Sequence, residues 1–190
     1  NVAWDFVELP SQIMENFCWE RPCLDLFARH WETGETIPTE LFEKMTRART
    51  YRAANAMMRQ LGFAAVDLLL HVDVDPVAEP DLLGRARALL AEHAATPLPD
   101  DYGMIASFSH LFAHPVGYAA AYYSYKWAEV LDADAFTRFR DEGLFSPEVG
   151  AQFRDKVLAQ GDSRDPMELY VDFMGREPSV QPLLERSGLA

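Results

Sequence analysis

Glu8 and the trio Tyr118, Tyr122 and Tyr125 are the side chains whose types and spacing could do chemistry in this chain. Glu8 stands two residues before Pro10, with Ser11 and Gln12 one helical turn further on. A carboxylate there is either a hard anionic ligand for a divalent metal or an acid at the positive end of a helix dipole, and spacing alone favours the second. The tyrosines lie four and three residues apart, which places their phenols on one face of a helix. Such a row presents apolar bodies and a line of O–H donors. It suits a peptide backbone in a cleft, and it suits a developing oxyanion, where one well-aimed donor is worth about 3 kcal/mol. Beside Ala119, Ala120 and Ala121 such an aromatic stripe is, on spacing alone, more often core. His110 and His114 precede it, and each also reads as a histidine near a helix end.

Catalytic zinc takes three protein ligands and keeps one position open for water. The compact way to supply two of them is His-Glu-x-x-His, where both imidazoles share a helix face and the Glu between them is a general base. That motif is absent. His30 is followed by Trp31, His71 by Val72, His93 by Ala94, His110 by Leu111 and His114 by Pro115. One carboxylate without imidazoles cannot hold zinc tightly. A zinc mechanism would therefore depend on residues outside these 190, and the chain alone is not expected to bind zinc with sub-micromolar affinity.

The elements that must position these groups are helical. Pro10 fits a first helical turn, followed by Ile13, Met14, Phe17 and Cys18 at helical spacing. Pro22 opens a second helix with Leu24, Phe27 and Ala28 inward, ended by Gly34. From Thr39 an apolar stripe runs through Leu41, Met45, Ala48, Ala56, Leu61, Ala65 and Leu69 in one long segment, with Gly62 as a soft point. Pro76 and Pro80 break the chain, and Asp81 to His93 reads as another helix. A loop from Thr96 to Met104 leads to the apolar Ile105–Phe112, and Gly117 to Phe139 is a further helix. Ser146-Pro147-Glu148 and Asp165-Pro166-Met167-Glu168 are helix starts: a polar cap, proline in the first turn, an acid at the positive end. The expectation is an all-α protein of roughly seven to nine helices. It should be a single domain over residues 1–190, without an internal boundary.

Composition narrows the function. Thirty acids against 17 bases give a net charge of −13, which repels phosphate backbones, so nucleic acid is not an expected partner. Hydrophobic residues at 49% support a sizeable core. No apolar run approaches the length of a membrane span, and no signal-like start is present. Cys18 and Cys23 have neither zinc-ribbon nor redox spacing, so they read as two buried free thiols in a reducing, cytoplasmic setting. Asn1 in place of Met leads us to expect a piece of something longer.

Three blocks carry a resemblance. Asp5-Phe6-Val7-Glu8-Leu9-Pro10-Ser11-Gln12 with Glu15-Asn16 and Trp19-Glu20 resembles the segment holding the third zinc ligand in the thimet oligopeptidase, oligopeptidase A and peptidyl-dipeptidase family of zinc metallopeptidases. Gly117-Tyr118 through Tyr122-Tyr123-Ser124-Tyr125 to Trp127-Ala128-Glu129-Val130 is similar to that family's tyrosine-rich substrate loop. Gly175-Arg176-Glu177-Pro178-Ser179 to Pro182-Leu183-Leu184 and Gly188-Leu189 is similar to its C-terminus. The resemblance implies a multi-helix lobe of a zincin-type oligopeptidase catalytic domain, with Zn2+ in the intact enzyme. It implies short peptides as substrates and the remainder of the peptidase chain as partner. It implies Glu8 as metal ligand, Tyr125, Tyr118 and His110 as catalytic groups, and Tyr122 and His114 as substrate contacts. Where the family has a glycine-rich hinge after its histidine, this chain has His114-Pro115-Val116-Gly117, a stiffer loop. The rival expectation is a non-catalytic helical interaction module, or a relic of such a peptidase.

Overall fold

Prolines and short polar side chains set where the helices begin. In the computed structural model, which describes residues 2–75 and 77–190, Pro10 lies in the first turn of α2 (Leu9–Phe17) and Pro22 in that of α3 (Arg21–Phe27). Ahead of them, α1 (Trp4–Val7) is a single turn. Next come α4 (Thr39–Arg49), α5 (Ala53–Leu68) with a π turn at Leu69–Asp73, and α6 (Leu82–Glu92). Asp81 caps α6 by accepting from Gly84 N. A 3-10 turn (Met104–Ser107) leads to the short α7 (Ser109–Phe112), then α8 (Ser124–Glu142). Ser146 caps α9 (Pro147–Lys156), and Asp165 caps α10 (Pro166–Met174) with Oδ1 on Met167 N and Glu168 N. A 3-10 turn (Leu158–Gln160) joins α9 to α10, and α11 (Gln181–Arg186) is the last helix. The protein is all-α. Among the described residues there is no strand, only one antiparallel bridge between Arg29 and Thr36. No described helix is long and apolar enough to cross a membrane. Pro76, read as a chain break, lies outside the described residues.

Several boundaries differ from expectation. The long third segment is two helices, because residues 50–52 turn and Arg52 adopts φ +58. Its buried face is also different. α4 buries no residue, Leu41 and Leu61 are exposed, and α5 turns Gly62, Phe63, Ala64, Val66 and Asp67 inward. Gly62 is a close-packing point rather than a soft one, since a Cβ there would stand 3.0 Å from His93 Cβ. On α2, Ile13 is buried and Phe17 meets Phe136 and Phe139 edge-on, at 4.9 and 5.3 Å between centroids, while Met14 and Cys18 face solvent. On α3 only Leu24 is buried; Phe27 is exposed, and the helix ends before Gly34, which sits in a later turn at φ +72. Cys18 is exposed and Cys23 half-buried, so the thiols are free but not buried.

The chain divides into two compact units, Asn1–Ala53 with Ala128–Ala190, and Ala54–Trp127. In the first, Phe6, Leu9 and Ile13 pack with Leu131, Phe136 and Phe139 of α8 and with side chains of α9 and α10. Every residue of α8 from Leu131 to Phe136 is buried, which takes two carboxylates out of water and obliges the fold to partner them. Asp134 accepts from both Arg176 Nη atoms at 2.6 Å, from Tyr170 OH at 2.7 Å and from Ser179 N at 3.0 Å. Asp132 accepts from Asn16 Nδ2 at 2.7 Å and from Arg186. In the second unit, Phe63 and Val66 of α5 pack with Ala86 and Leu90 of α6 and with Ile105, Phe108 and Leu111.

Candidate functional site

The tyrosines gather, but not along one helix. Residues 113–123 form bends and turns, α8 starts only at Ser124, and Tyr118 and Tyr122 sit in the turn while Tyr125 lies in the first turn of α8. Ala120, at φ +56, takes the chain out of helical geometry. The fold-back still stacks Tyr118 on Tyr125, with 5.1 Å between centroids and an 18° interplanar angle, and sets Tyr122 edge-on to Tyr125 at 5.3 Å.

His110, the second residue of α7, lies among them. Its ring centroid is 5.9 Å from that of Tyr118, 6.1 Å from Tyr122 and 6.3 Å from Tyr125. His110 is exposed to solvent beside the three phenols. His114 serves its own loop: its Nδ1 accepts from the N–H groups of Val116 and Gly117, each at 3.2 Å. Tyr122 is the most anchored of the phenols. Its ring contacts Phe63 and Phe108, its hydroxyl donates to Gln60 Oε1 at 3.1 Å, and burial followed by the neighbouring Tyr125 pushes its pKa up, so it stays a neutral donor.

Sequence reasoning missed the group under this turn. Asp67 of α5 is fully buried. Its Oδ1 accepts from Ala120 N and its Oδ2 from Tyr122 N, both at 2.8 Å, and His71 Nδ1 lies 2.8 Å from Oδ1. In a continuous helix these amides would pair along the chain; here the carboxylate accepts them instead. The signal was present, a lone acid inside the apolar run Phe63–Leu70 and four residues before a histidine.

Glu8 belongs to the other unit. It is the junction between α1 and α2, in αR conformation and half-buried, and its carboxylate makes no cap bond to the first turn of α2. Ser11 Oγ donates to Glu8 Oε2 at 3.2 Å and to Glu8 O at 3.0 Å, while Gln12, half-buried, stands one turn on. Glu8 is a carboxylate of the hard, anionic kind that a divalent metal takes. It does not make a zinc site by itself: among the described residues no group of three His, Cys, Asp or Glu side chains could hold a metal. Further along the same helix, a cavity of about 440 Å³ is lined by Gln12, Asn16, Trp19, Arg49 and Arg186 among others. There Arg49 lies over the Trp19 ring at 4.5 Å, and burial followed by Arg186 and Arg140 lowers its pKa to about 10.

Comparison with known proteins agrees along the whole chain. The chain is 48% identical over 194 residues to organellar oligopeptidase A (chloroplastic/mitochondrial) of Arabidopsis thaliana, covering 100% of this chain and 24% of that protein. To oligopeptidase A of Escherichia coli (strain K12) it is 46% identical over 188 residues, 99% of this chain and 27% of that protein. To dipeptidyl carboxypeptidase of Salmonella typhimurium it is 36% identical over 190 residues, 100% of this chain and 28% of that protein. The chain thus spans about a quarter of the length of these curated relatives. The model of peptidase family M3 matches residues 1–189, and the chain belongs to that family.

Proposed function

We propose that these residues are the part of a zinc-dependent oligopeptidase that lends one carboxylate to the metal and a histidine–tyrosine wall to the peptide. The observation that carries the reading is His110 set among Tyr118, Tyr122 and Tyr125, with ring centroids between 5.9 and 6.3 Å away. In this reading Glu8 is the third zinc ligand, and the other ligands and the general base lie in the remainder of the peptidase chain. Zinc, when bound, would polarise the scissile carbonyl and activate a water. The work of this chain's own residues is different. Tyr125 and Tyr118 donate their O–H groups to the oxyanion as it forms, His110 orients it with them, and Tyr122 and His114 hold the peptide backbone. Neutral phenols suit the task, because a donor aimed at developing charge stabilises the transition state more than the ground state.

Short peptides are the substrates of this reading. Relatives named oligopeptidase and dipeptidyl carboxypeptidase both match the chain, which supports peptide hydrolysis and leaves internal and C-terminal cleavage as variants of one chemistry. A cytoplasmic setting is supported by two free cysteines, one of them exposed, and by a relative named probable cytosolic oligopeptidase A.

The test is Tyr125→Phe in the complete peptidase chain, assayed on a quenched fluorescent peptide. Loss of one oxyanion donor should lower kcat by about ten- to a thousandfold with KM little changed. An unchanged kcat would return Tyr125 to a packing role and favour a helical module without catalysis.

A further inference from the structure

Resting on the wall assignment above, we infer that Asp67 is the positioning residue of the tyrosine wall: its buried carboxylate holds the turn that carries Tyr118 and Tyr122, and α5 is the template on which that turn is moulded. Gln60, Phe63, Asp67 and His71 recur every three to four residues and so lie along one face of the helix and its π extension. Three of them hold Tyr122. Gln60 Oε1 accepts its hydroxyl, the Phe63 ring meets its ring edge-on at 5.9 Å, and Asp67 Oδ2 accepts its backbone N–H. Tyr122 is therefore tied to α5 at both ends.

The carboxylate is fully buried, so an ionised Asp67 needs a donor for each oxygen. It has three: Ala120 N and His71 Nδ1 at Oδ1, and Tyr122 N at Oδ2, each at 2.8 Å. Two come from the wall turn and the third from its own helix, so the carboxylate's hydrogen bonds to the rest of the chain are spent on the wall. The bond to Ala120 bears on strain as well. An alanine at φ +56 occupies a region that L-residues avoid, and it persists only where the surroundings over-determine it. His71 completes the clasp. Its Nδ1 also lies 2.9 Å from Asp67 O, which makes that nitrogen the protonated one, and its ring stacks on Phe112 at the end of α7. The clasp thus links α5, the wall turn and the helix that carries His110. The Asp67 carboxylate accepts from the backbone amides of Ala120 and Tyr122, so its action is through the turn.

The experiment has an arm on the native chain and an arm on variants. In the native 190-residue chain, the Ala120 and Tyr122 amide protons should exchange with deuterium as slowly as the amides of the Phe63–Val66 core, although the turn is only half-buried. Exchange at the rate of the exposed loop 113–116 would overturn the inference, and this arm needs no variant to fold. In Asp67→Asn, exchange at those two amides should rise about tenfold or more while Leu90 and Phe108 stay within about twofold. A uniform rise across the unit would mean a general structural role and would also overturn it.

In the complete peptidase, Asp67→Asn should lower kcat by about tenfold or more with bound metal unchanged. Adding Ala120→Gly, which removes the cost of the left-handed turn, should recover part of both exchange protection and rate. No recovery would overturn the clasp. The wall reading is tested separately by Tyr125→Phe: if that variant is fully active while Asp67→Asn loosens Ala120 and Tyr122, the clasp stands as a structural device and the peptidase assignment of the phenols falls.

Discussion

Replacing Asp134 with alanine should destabilise the first unit by about 2–3 kcal/mol and flatten its acid-side stability profile. Asp134 is fully buried on α8 and joins Tyr170 of α10 to Arg176 and Ser179 beyond it. The variant orphans three groups unequally. Tyr170 is 1% exposed, so its hydroxyl keeps almost no access to water, and an unsatisfied buried donor costs about 1–3 kcal/mol. The Arg176 side chain is 47% exposed, so its charge rehydrates at little cost. The half-buried Ser179 adds less than Tyr170. Burial of Asp134 works against its charge, but the hydrogen bonds from Arg176, Tyr170 and Ser179 N outweigh it and hold the carboxyl below its ordinary value. A carboxyl depressed on folding contributes stability that is present above its unfolded pKa, near 3.9, and lost as pH falls through the folded value. Urea unfolding of the native chain, followed by circular dichroism from about pH 7 to pH 3, should therefore show stability dropping below about pH 4. Asp134→Ala should start lower and lack that share of the drop. A loss under about 0.5 kcal/mol at neutral pH, or an undiminished acid slope, would refute the account.

Two further outcomes follow from particular contacts. Gly62→Ala should destabilise the second unit by about 1 kcal/mol, because overpacking of about 1–3 kcal/mol exceeds the roughly 1 kcal/mol gained in helix propensity. The added Cβ would stand 3.0 Å from His93 Cβ, on a residue whose Nδ1 is already tied to Leu89 O at 3.0 Å, so the neighbour has little room to yield; a raised urea midpoint would refute this. The 190-residue chain should retain no zinc through a chelator wash in equilibrium dialysis with metal analysis, since Glu8 alone cannot compete; stoichiometric retention would mean a different ligand set.

What could be read from the sequence was what neighbours in sequence decide. Asp81, Ser146 and Asp165 each accept from an amide two or three residues on, so their helix starts were legible as local chemistry. Which face of a helix is buried is decided by its partner. Leu61 and Phe63 are equally apolar, yet α6 and the 105–111 segment cover Phe63 and leave Leu61 exposed. The break at residues 50–52 carries no glycine or proline, and α4, which buries nothing, offered a period without a core behind it. Helical spacing put the three tyrosines on one face of a helix, whereas the chain brings them together through a turn; His110 entered only through the resemblance. Ala119, Ala120 and Ala121 are strong helix formers, and local propensity would run α8 back through them. A carboxylate 53 residues earlier takes the Ala120 amide instead, and one desolvated charge with well-aligned donors outweighs a few alanines' preference. The phenols therefore meet by a fold-back that depends on Asp67. Substitutions at Asp67 should consequently disturb the wall more than substitutions that merely alter helix propensity at Ala119 or Ala121.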